Sequence, residues 1–552
     1  MGPNEPRGSS LRHLTALLLL STVAVPVAAQ DSAPAISPAA MRAHVEFLAD
    51  DLLEGRDAGT RGYDIAARYV ASRFDALGLK PGTPEGWYQT VRFQTARTDQ
   101  TKPAAITIGG TRFDNGGDVA MAPDGRFADQ KVDGGAVFVG YGLDAPKQGF
   151  DDYRGLDLKG KFAVMLGGMP EGLPSELAAS LSAERTRAAM AKGAIGVLTI
   201  PTPKMLKTYP WARAKASIGS PRQRVVEPNG QPNLPAPGIR ASGYVTGAAL
   251  DALFAGSGTT PAEVFAAIEK PGGKVRGRAL KPMVGFAAAN LVTTSQSPNV
   301  IGVIPGSDPA LAKDYVLMTA HLDHDGINPN AKGNDKIMNG AMDNAAGVAT
   351  MLEAARAFMN SGKPPKRSVM FVALTSEEDG LLGSDYLARH PAVPAGARVV
   401  ADVNLDMPVL LYTLDDVVAF GAEHSTVGEA AARAAAKIGL TLSPDFMPEE
   451  NVFVRSDHYS FVKQGVPSVM LATGVKNGGD TIFKDFLAKT YHTPADQPSL
   501  PFNWESAAKF AAVNYEIARD LADAPQAPRW YVGSPFGDQF AKDQPKAPRP
   551  AK

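Results

Sequence analysis

The sequence predicts an α/β fold, a mixed and mostly parallel sheet covered by helices on both faces, with a β-rich segment inserted ahead of most of it. From Ser297 onward, short apolar runs alternate with amphipathic helical patterns, as expected for an α/β sheet. These runs consist of unbroken β-formers, which is typical of strands buried on both faces. Between residues 105 and 290 the pattern changes to short β-like runs with many glycines, which indicates a separate module.

The first part of the predicted fold is a helical segment followed by the insert. Two amphipathic helices are expected between residues 38 and 80, and Gly78 and Pro81 end the second one. In the insert, the polar and proline-rich stretch from Pro201 to Pro237 is expected to be a surface loop. The apolar runs of the insert predict strands at Ala136–Val139, Phe162–Leu166 and Ile195–Ile200 and a helix at Leu181–Lys192.

The alternating part of the chain predicts the remaining elements. Strands are expected at Val300–Ile304, Tyr315–Ala320, Val369–Leu374, Val399–Leu405 and Ser468–Leu471. Helices are expected at Ala346–Met359, Leu381–Arg389, Val427–Ile438 and Trp504–Ala522. The predicted organisation is thus an N-terminal leader (1–29), a first part of the main domain (38–105), the insert (106–289), the rest of the main domain (290–525) and an irregular proline-containing tail (526–552).

The N-terminus predicts a secretory signal peptide. Arg7, Arg12 and His13 precede the apolar run Leu14–Leu20, and small residues ending at Ala29 give a cleavage pattern. We therefore expect a secreted or periplasmic protein without a membrane anchor. The net charge of −1 gives no indication of a nucleic-acid partner. The absence of cysteine excludes disulfides and thiolate ligands, so a metal ion must be held by nitrogen and oxygen.

Polar residues at the ends of predicted strands indicate such a metal site. His321 ends one strand, Glu377 and Glu378 follow another, and Asp406 ends a third; ligands bind at this edge of open α/β sheets. Asp343 opens a helix, where an Asp alone is most often an N-cap. Our hypothesis is that two metal ions share one carboxylate among His321, Asp343, Glu378, Asp406 and His492.

The chemistry of such a pair explains the residue types. Two cations about 3.5–4 Å apart bind a water between them and lower its pKa from about 15.7 towards about 7. Imidazole and carboxylate together suit zinc, with cobalt or manganese as substitutes. Glu377 then remains free as the general base. Asp323, which we group with Glu377 as catalytic, is expected to fix the His321 imidazole through its other nitrogen, and Asp496 is expected to do the same for His492.

The motifs around these positions resemble a known family. They are His321-x-Asp323, Met342-Asp343-Asn344-Ala345-Ala346-Gly347, Ser376-Glu377-Glu378-x-Gly380, Asn404-Leu405-Asp406-Met407 and Tyr491-His492-Thr493-x-x-Asp496. In this order they look like the motif set of the di-zinc aminopeptidases, the secreted bacterial leucyl-type enzymes with a zinc-exopeptidase fold. Residues 135–200 are similar to a protease-associated domain, so the resemblance covers most of the chain after the leader.

The resemblance implies a set of roles. His321 and Asp406 would hold one zinc, Glu378 and His492 the other, and Asp343 would bridge them, with a cis peptide after it. Arg455 and His458 are candidates for substrate binding, and His324 could support a ligand or be a plain loop residue. The implied function is removal of N-terminal residues from peptide substrates by a metal-bridged water and Glu377. A carboxypeptidase or glutaminyl cyclase of the same family, or a non-catalytic peptide-binding protein, remains an alternative.

Overall fold

The predicted fold class is confirmed by the computed structural model, which describes residues 1–2, 35–270 and 272–550. A mostly parallel sheet is flanked by helices on both faces. The predicted leader and its cleavage after Ala29 lie outside the described residues. In the part of the chain that is described, no helix combines the length and the apolar character needed to cross a membrane.

The first described elements are the two predicted helices. Helix α1 spans Pro38–Leu48 and α2 spans Arg61–Leu77, and the side chains of Ser37 and Thr60 cap their N-termini. Gly78 ends α2 in the left-handed conformation, at φ 83°, which glycine adopts without steric cost. The short strand β1 (Lys80–Pro81) and the long strand β2 (Tyr88–Thr98) follow.

The insert is a mixed β structure with its own apolar core. Its strands are β3 (Ala105–Ile108), β4 (Thr111–Asp114), β5 (Val119–Met121), β6 (Asp129–Phe138), β7 (Asp144–Ala145), β8 (Phe150–Asp151), β9 (Phe162–Leu166), β10 (Gly196–Ile200), β11 (Arg222–Val225) and β12 (Ala241–Val245). Its helices are α3 (Ser175–Ala191), α4 (Pro203–Thr208), α5 (Trp211–Gly219), α6 (Gly247–Phe254) and α7 (Pro261–Ile268). Phe138, Phe162 and Phe254 are buried together between these elements.

The prediction of a surface loop from Pro201 to Pro237 is wrong, because this stretch contains α4, α5 and β11. The prolines here start helices instead of interrupting them. Pro203 occupies the first turn of α4, where its missing N–H costs no hydrogen bond, and the Thr202 side chain caps that helix. Proline content alone therefore misled the prediction.

A single long strand, β13 (Arg278–Ile304), joins the insert to the main sheet. Its first half pairs with β3 and β6 of the insert, its middle with β2, and its end with β15 (Ser368–Leu374), always antiparallel. The expected domain boundary at residues 289–290 thus falls inside a continuous strand. The insert and the main sheet share this strand as a common structural element.

The rest of the main sheet is formed by the elements predicted after Ser297, with additions. The strands are β14 (Asp314–His321), β15, β16 (Arg398–Asn404), β17 (Asp416–Phe420), β18 (Thr441–Ser443) and β19 (Ser468–Thr473). The helices are α8 (Ala346–Asn360), α9 (Leu382–Arg389), α10 (Val427–Lys437), α11 (His458–Val462), α12 (Gly479–Lys489), α13 (Trp504–Asp523) and α14 (Pro535–Phe540). Strand β14 pairs in parallel with β15 and β16, and β16 with β19, so their carboxyl ends lie at one edge.

Helices cover both faces of this sheet. On one face Leu387 of α9 and Phe461 of α11 pack into a cluster with Leu317 and Val372. On the other face, the Phe371 ring lies 5.9 Å from that of Phe358 in α8 and 6.4 Å from that of Phe74 in α2. The strands are therefore buried on both sides, which explains why their sequences are apolar without alternation.

The C-terminal tail, expected to be irregular, is packed against the main domain. Trp530 is buried, and its indole N–H donates to the carbonyl oxygen of Gly465 at 2.9 Å. Helix α14 follows, and Tyr531 forms a bridge with Ala547. The prolines of this tail limit its regular structure but do not prevent its burial.

Removing the ring of Phe371 should destabilise the fold, because the ring fills the contact between β15, α2 and α8. We expect Phe371→Ala to cost about 3–5 kcal/mol in the free energy of unfolding, which thermal or denaturant unfolding can measure. Leu52→Ala is the control, because Leu52 is 82% exposed, and its midpoint should change little. Equal midpoints for the two variants would contradict the assigned packing.

Candidate metal centre

Three predicted ligands meet where β14 and β16 end. His321 is the last residue of β14, and Asp406 follows β16 by two residues. The Nε2 atom of His321 lies 3.1 Å from Oδ1 of Asp406 and 3.2 Å from Oδ1 of Asp343. All three side chains are buried or nearly so. One imidazole nitrogen and two carboxylate oxygens thus face one point.

The other two predicted ligands meet at the second oxygen of the same Asp. The Nε2 atom of His492 lies 3.3 Å from Oδ2 of Asp343 and 3.1 Å from Oε2 of Glu378. Asp343 therefore directs one carboxylate oxygen to each histidine. The peptide bond after Asp343, to Asn344, is cis, as the resemblance implies.

The chemistry of this donor set fits cations. Atoms that could bind a metal lie within 4.8 Å of one another in three overlapping groups at this site. The first contains His321, Asp343 and Asp406, the second His324, Asp343, Glu378 and His492, and the third His321, Glu377 and Glu378. Nε2 of His492 is buried and has no hydrogen bond of acceptable geometry, despite the carboxylates around it. A divalent cation would use this nitrogen and neutralise the carboxylates. Imidazole and carboxylate ligands without sulfur suit zinc, and also cobalt or manganese.

The carboxylates create a strongly negative field at the imidazoles. Burial opposes the charged form of His321, but the charges of Asp406 and Glu377 outweigh it and raise its pKa well above the usual value. For His492 burial acts in the same sense, but the close carboxylates of Asp343 and Glu378 outweigh it and raise its pKa to about 11. The field that favours a proton on each imidazole also attracts a metal cation in its place.

Glu377 lies beside His321 and Glu378, and in the described structure its carboxylate forms no ion pair with His321. It follows β15 on a turn in which Ser376 has φ 51°, and it lines the cavity that His321 and Asp406 also line. Burial raises the pKa of Glu377 well above its usual value, and the charges of Glu378 and Asp406 add to this effect while His321 opposes it. A carboxylate with a raised pKa is suited to accept a proton near neutral pH.

The carboxylate of Asp323 does not contact the His321 imidazole, so that expected contact is wrong. Nδ1 of His321 instead faces the backbone carbonyl oxygen of Asp323 at 3.2 Å. The Asp323 carboxylate accepts the backbone N–H groups of Glu377 and Glu378 at 3.1 and 3.2 Å. Because its carboxylate turns towards the backbone of this loop, Asp323 positions the loop that carries Glu377 and Glu378.

Asp496 differs from its expected role in the same way. Its carboxylate accepts the N–H groups of Met342 and Asp343 at 2.9 and 3.0 Å and does not contact His492. Nδ1 of His492 lies 3.5 Å from Oδ2 of Asp325 instead. Asp496 therefore fixes the backbone that carries Asp343, and Asp325 is the carboxylate next to the outer nitrogen of His492.

Two further residues support the site. Arg56 is buried, and its guanidinium donates to the carbonyl oxygens of Leu322, Asn339 and Gly340 at 2.9, 2.6 and 3.0 Å. Arg56 thereby fixes both loops that lead to the proposed metal ligands. In the sequence Arg56 lies in a polar stretch, and no sequence pattern indicated this role. Nδ1 of His324 lies 2.7 Å from Oε1 of Glu378, and its Nε2 is buried without a partner.

A cavity of about 240 Å³ opens next to His321, Asp406 and Glu377. Arg455 lines it, as expected, and forms an ion pair with Glu450 at 2.8 Å. His458 does not line it: the side chain is fully buried near Phe453, and burial lowers its pKa to about 4. The apolar lining of the cavity consists of Met407, Phe420, Met447, Val452, Met470, Ala472, Phe483, Leu487 and the ring of Tyr491.

Comparisons with known proteins identify a family for the segment that carries this site. Residues 299–518, which contain every proposed metal ligand, match the family model of Peptidase family M28. Over this segment the chain therefore resembles a peptidase family.

Individual relatives match over part of their length. Aminopeptidase YwaD of Bacillus subtilis is 29% identical over 218 residues, which are 37% of this chain and 40% of that protein. Probable leucine aminopeptidase 2 of Aspergillus fumigatus is 27% identical over 217 residues, 36% of this chain and 39% of that protein. The matched segments thus span about two fifths of these curated relatives.

A solved structure extends the similarity of fold to nearly the whole chain. It is the aminopeptidase from Aneurinibacillus sp. strain AM-1, which matches with a TM-score of 0.50 and 20% identity, over 89% of this chain and 95% of that one. At this identity the match shows the fold alone, and that fold includes the insert.

Metal uptake should release protons, since His321 and His492 have raised pKa values and must be neutral to bind a metal. The raised pKa values favour protonated imidazoles in the metal-free protein, so zinc binding should displace protons from them. For the same reason zinc affinity should fall as the pH is lowered. Calorimetry in two buffers of different ionisation enthalpy measures the released protons. A heat of binding that does not depend on the buffer would contradict the prediction.

Proposed function

We propose that the protein is a zinc-dependent aminopeptidase that removes N-terminal residues from peptides. The observation that carries the proposal is the position of Asp343, whose two carboxylate oxygens each face a different histidine and a different second carboxylate. In this proposal His321 and Asp406 hold one ion, Glu378 and His492 hold another, and Asp343 is shared. Such ions, when bound, polarise a scissile carbonyl group and make a water molecule acidic.

Glu377 supplies the proton transfer. It lies in the same cavity as the proposed ligands, and its raised pKa suits a group that takes a proton from the attacking water. The same carboxyl group then donates this proton to the amine that leaves when the peptide bond breaks. Asp323 keeps Glu377 in place through the loop backbone. The cavity walls exclude water around this exchange, since most of them are apolar.

The charges of the cavity favour an aminopeptidase over a carboxypeptidase. The acidic residues that line it are Asp343, Glu377, Asp406 and Glu450. Apart from a histidine, Arg455 is the only basic residue among the described lining residues. Arg455 is already paired with Glu450, so its charge is compensated. With Asp343 and Asp406 assigned to the metal ions, Glu377 is the lining acid that remains uncompensated, which favours a free α-ammonium group over an α-carboxylate.

The apolar part of the cavity supports a preference for bulky apolar N-terminal residues. Phe420, Met470 and Phe483 line it together with the smaller Ala472. A cavity of about 240 Å³ with such walls accommodates one leucine- or phenylalanine-sized side chain. Burial of that side chain contributes binding free energy through the hydrophobic effect.

A peptide analogue with a free amine distinguishes these functions. We expect the zinc-loaded protein to hydrolyse leucyl-4-nitroanilide and to leave N-acetyl-leucyl-4-nitroanilide intact, because only the first offers an α-ammonium group. An N-blocked dipeptide with a free C-terminus tests the carboxypeptidase alternative. Cleavage of that dipeptide without cleavage of the leucyl substrate would overturn the proposal, and release of nitroaniline or amino acid measures each reaction.

Replacing Glu377 by Gln should remove the proton acceptor while retaining the metal site. We expect a loss of about 10²–10⁴ in kcat for leucyl-4-nitroanilide. Elemental analysis should show the same zinc content as in the wild type, whereas His492→Ala should lose zinc. Glu46→Gln on the exposed face of α1 is the matched control and should keep full activity. An active Glu377→Gln variant would refute the role of Glu377.

A further inference from the structure

A second cavity, of about 340 Å³, lies where the insert meets the strands that lead into the main sheet. Its walls come from β2, β10, β11 and β12 and from helix α3. It shares no lining residue with the cavity at the metal centre. The two cavities are therefore separate sites, and the proposed peptidase reaction does not use this one.

Four arginines line this cavity, and two of them are already paired. Arg126 forms an ion pair with Asp124 at 2.5 Å and also donates to backbone carbonyl oxygens. Arg187 forms an ion pair with Glu184 on the same helix. Among the described residues that line the cavity, Asp124 is the sole carboxylate, and both of its oxygens accept from Arg126.

The other two arginines, Arg222 and Arg224, have no acidic partner. They are two residues apart on β11, so both side chains lie on one face of the strand. In the described part of the chain, the side chain of Arg222 has no hydrogen bond or ion pair, whereas its backbone pairs with β2. Arg224 donates only to the carbonyl oxygen of Gln223, at 3.3 Å. Both are half-buried, so neither guanidinium group is fully hydrated.

The surroundings of this pair suit a negative group. Burial lowers the pKa of Arg222 and the like charge of Arg224 lowers it further, while Tyr244 and Asp124 oppose this effect only in part. Each guanidinium carries five N–H donors in a rigid fork. The fork matches the two oxygens of a carboxylate or phosphate group, which can accept two parallel hydrogen bonds.

We propose that this cavity binds an oxyanion group, with Arg222 and Arg224 as its main partners. The group is either the carboxylate at the end of a peptide or free phosphate, which share the same recognition chemistry. Apolar residues, including Val197, Ala236 and Ile239, line the rest of the cavity and offer space for a carbon skeleton next to the charged group. Binding of the oxyanion relieves the repulsion between the two arginines.

Calorimetric titration of the zinc-loaded full chain tests the site. The probes are inorganic phosphate, N-acetyl-glycylglycine with its free carboxylate, and the C-terminal amide of the same compound, which has no oxyanion. The variants are Arg222→Gln and Arg224→Gln. Arg213→Gln is the control, because Arg213 is exposed on α5 of the same insert and does not line the cavity.

We expect the wild type and Arg213→Gln to bind phosphate or the carboxylate probe but not the amide. Each cavity variant should bind about tenfold or more weakly, as expected for the loss of a hydrogen bond to a charged group. Any binding of phosphate at the metal centre is common to all variants and cancels in the comparison. Binding of the carboxylate alone identifies a peptide end as the source, and binding of phosphate alone identifies free phosphate. Equal affinities in wild type and cavity variants, or no binding by the wild type, would overturn the proposal.

Thermal unfolding provides a second measurement, which distinguishes loss of the binding site from misfolding of a variant. In buffer without phosphate or carboxylates, Arg222→Gln and Arg224→Gln should unfold at the wild-type temperature or above it, because each substitution removes one charge of a repulsive pair. Added phosphate should raise the midpoint of the wild type and of Arg213→Gln more than that of the cavity variants. The proposal would be contradicted if the cavity variants unfolded at lower temperature in buffer without phosphate or carboxylates and if phosphate raised their midpoints as much as that of the wild type. The arginines would then have only a structural role.

Discussion

The concentration of buried carboxylates around Asp343 is the constraint on which the rest of the site depends. Asp343, Glu377, Glu378 and Asp406 lie within one small volume, and like charges buried together are strongly unfavourable without compensation. The imidazoles of His321 and His492 compensate part of this charge, which explains why their pKa values rise. A site of this kind is stable when cations occupy it, so metal binding and the integrity of the site are linked.

The surrounding structure fixes these carboxylates mainly through the backbone. Asp323 holds the N–H groups of the Glu377–Glu378 loop, and Asp496 holds those of Met342 and Asp343. Arg56 complements them by donating to carbonyl oxygens of the two neighbouring loops. The two carboxylates thus accept from backbone N–H groups, and the guanidinium of Arg56 donates to backbone carbonyl oxygens. The loops that carry the proposed ligands are therefore fixed through backbone contacts, and these supporting side chains do not compete for a metal ion. Second contacts of this type determine ligand orientation in metal sites.

The sequence allowed His321, Glu378 and Asp406 to be placed together, because they follow three neighbouring strands whose ends define one edge of a parallel sheet. It could not assign the partners of Asp323, Asp496 and Arg56, since loop conformations decide which carboxylate meets an imidazole and which meets an amide. Helix α12 was also not predicted, although it contributes Phe483 and Leu487 to the cavity. In the insert, prolines at helix starts concealed α4, and the unpaired arginines of β11 became visible only when β2 and β12 were placed beside them.

The insert contacts the elements that flank the Glu377–Glu378 loop, in addition to its covalent connection to the main domain. Strand β13 passes from β6 of the insert to β15, the strand that ends just before Glu377. Downstream of β11, Glu227 pairs with His390 at 2.8 Å, and Asn233 donates to Asp385 of α9, the helix that follows the Glu377–Glu378 loop. The segment that carries Arg222 and Arg224 therefore contacts the helix that follows the Glu377–Glu378 loop. The proposed oxyanion site and the proposed metal centre thus share packed elements, β11 with α9 and β13 with β15.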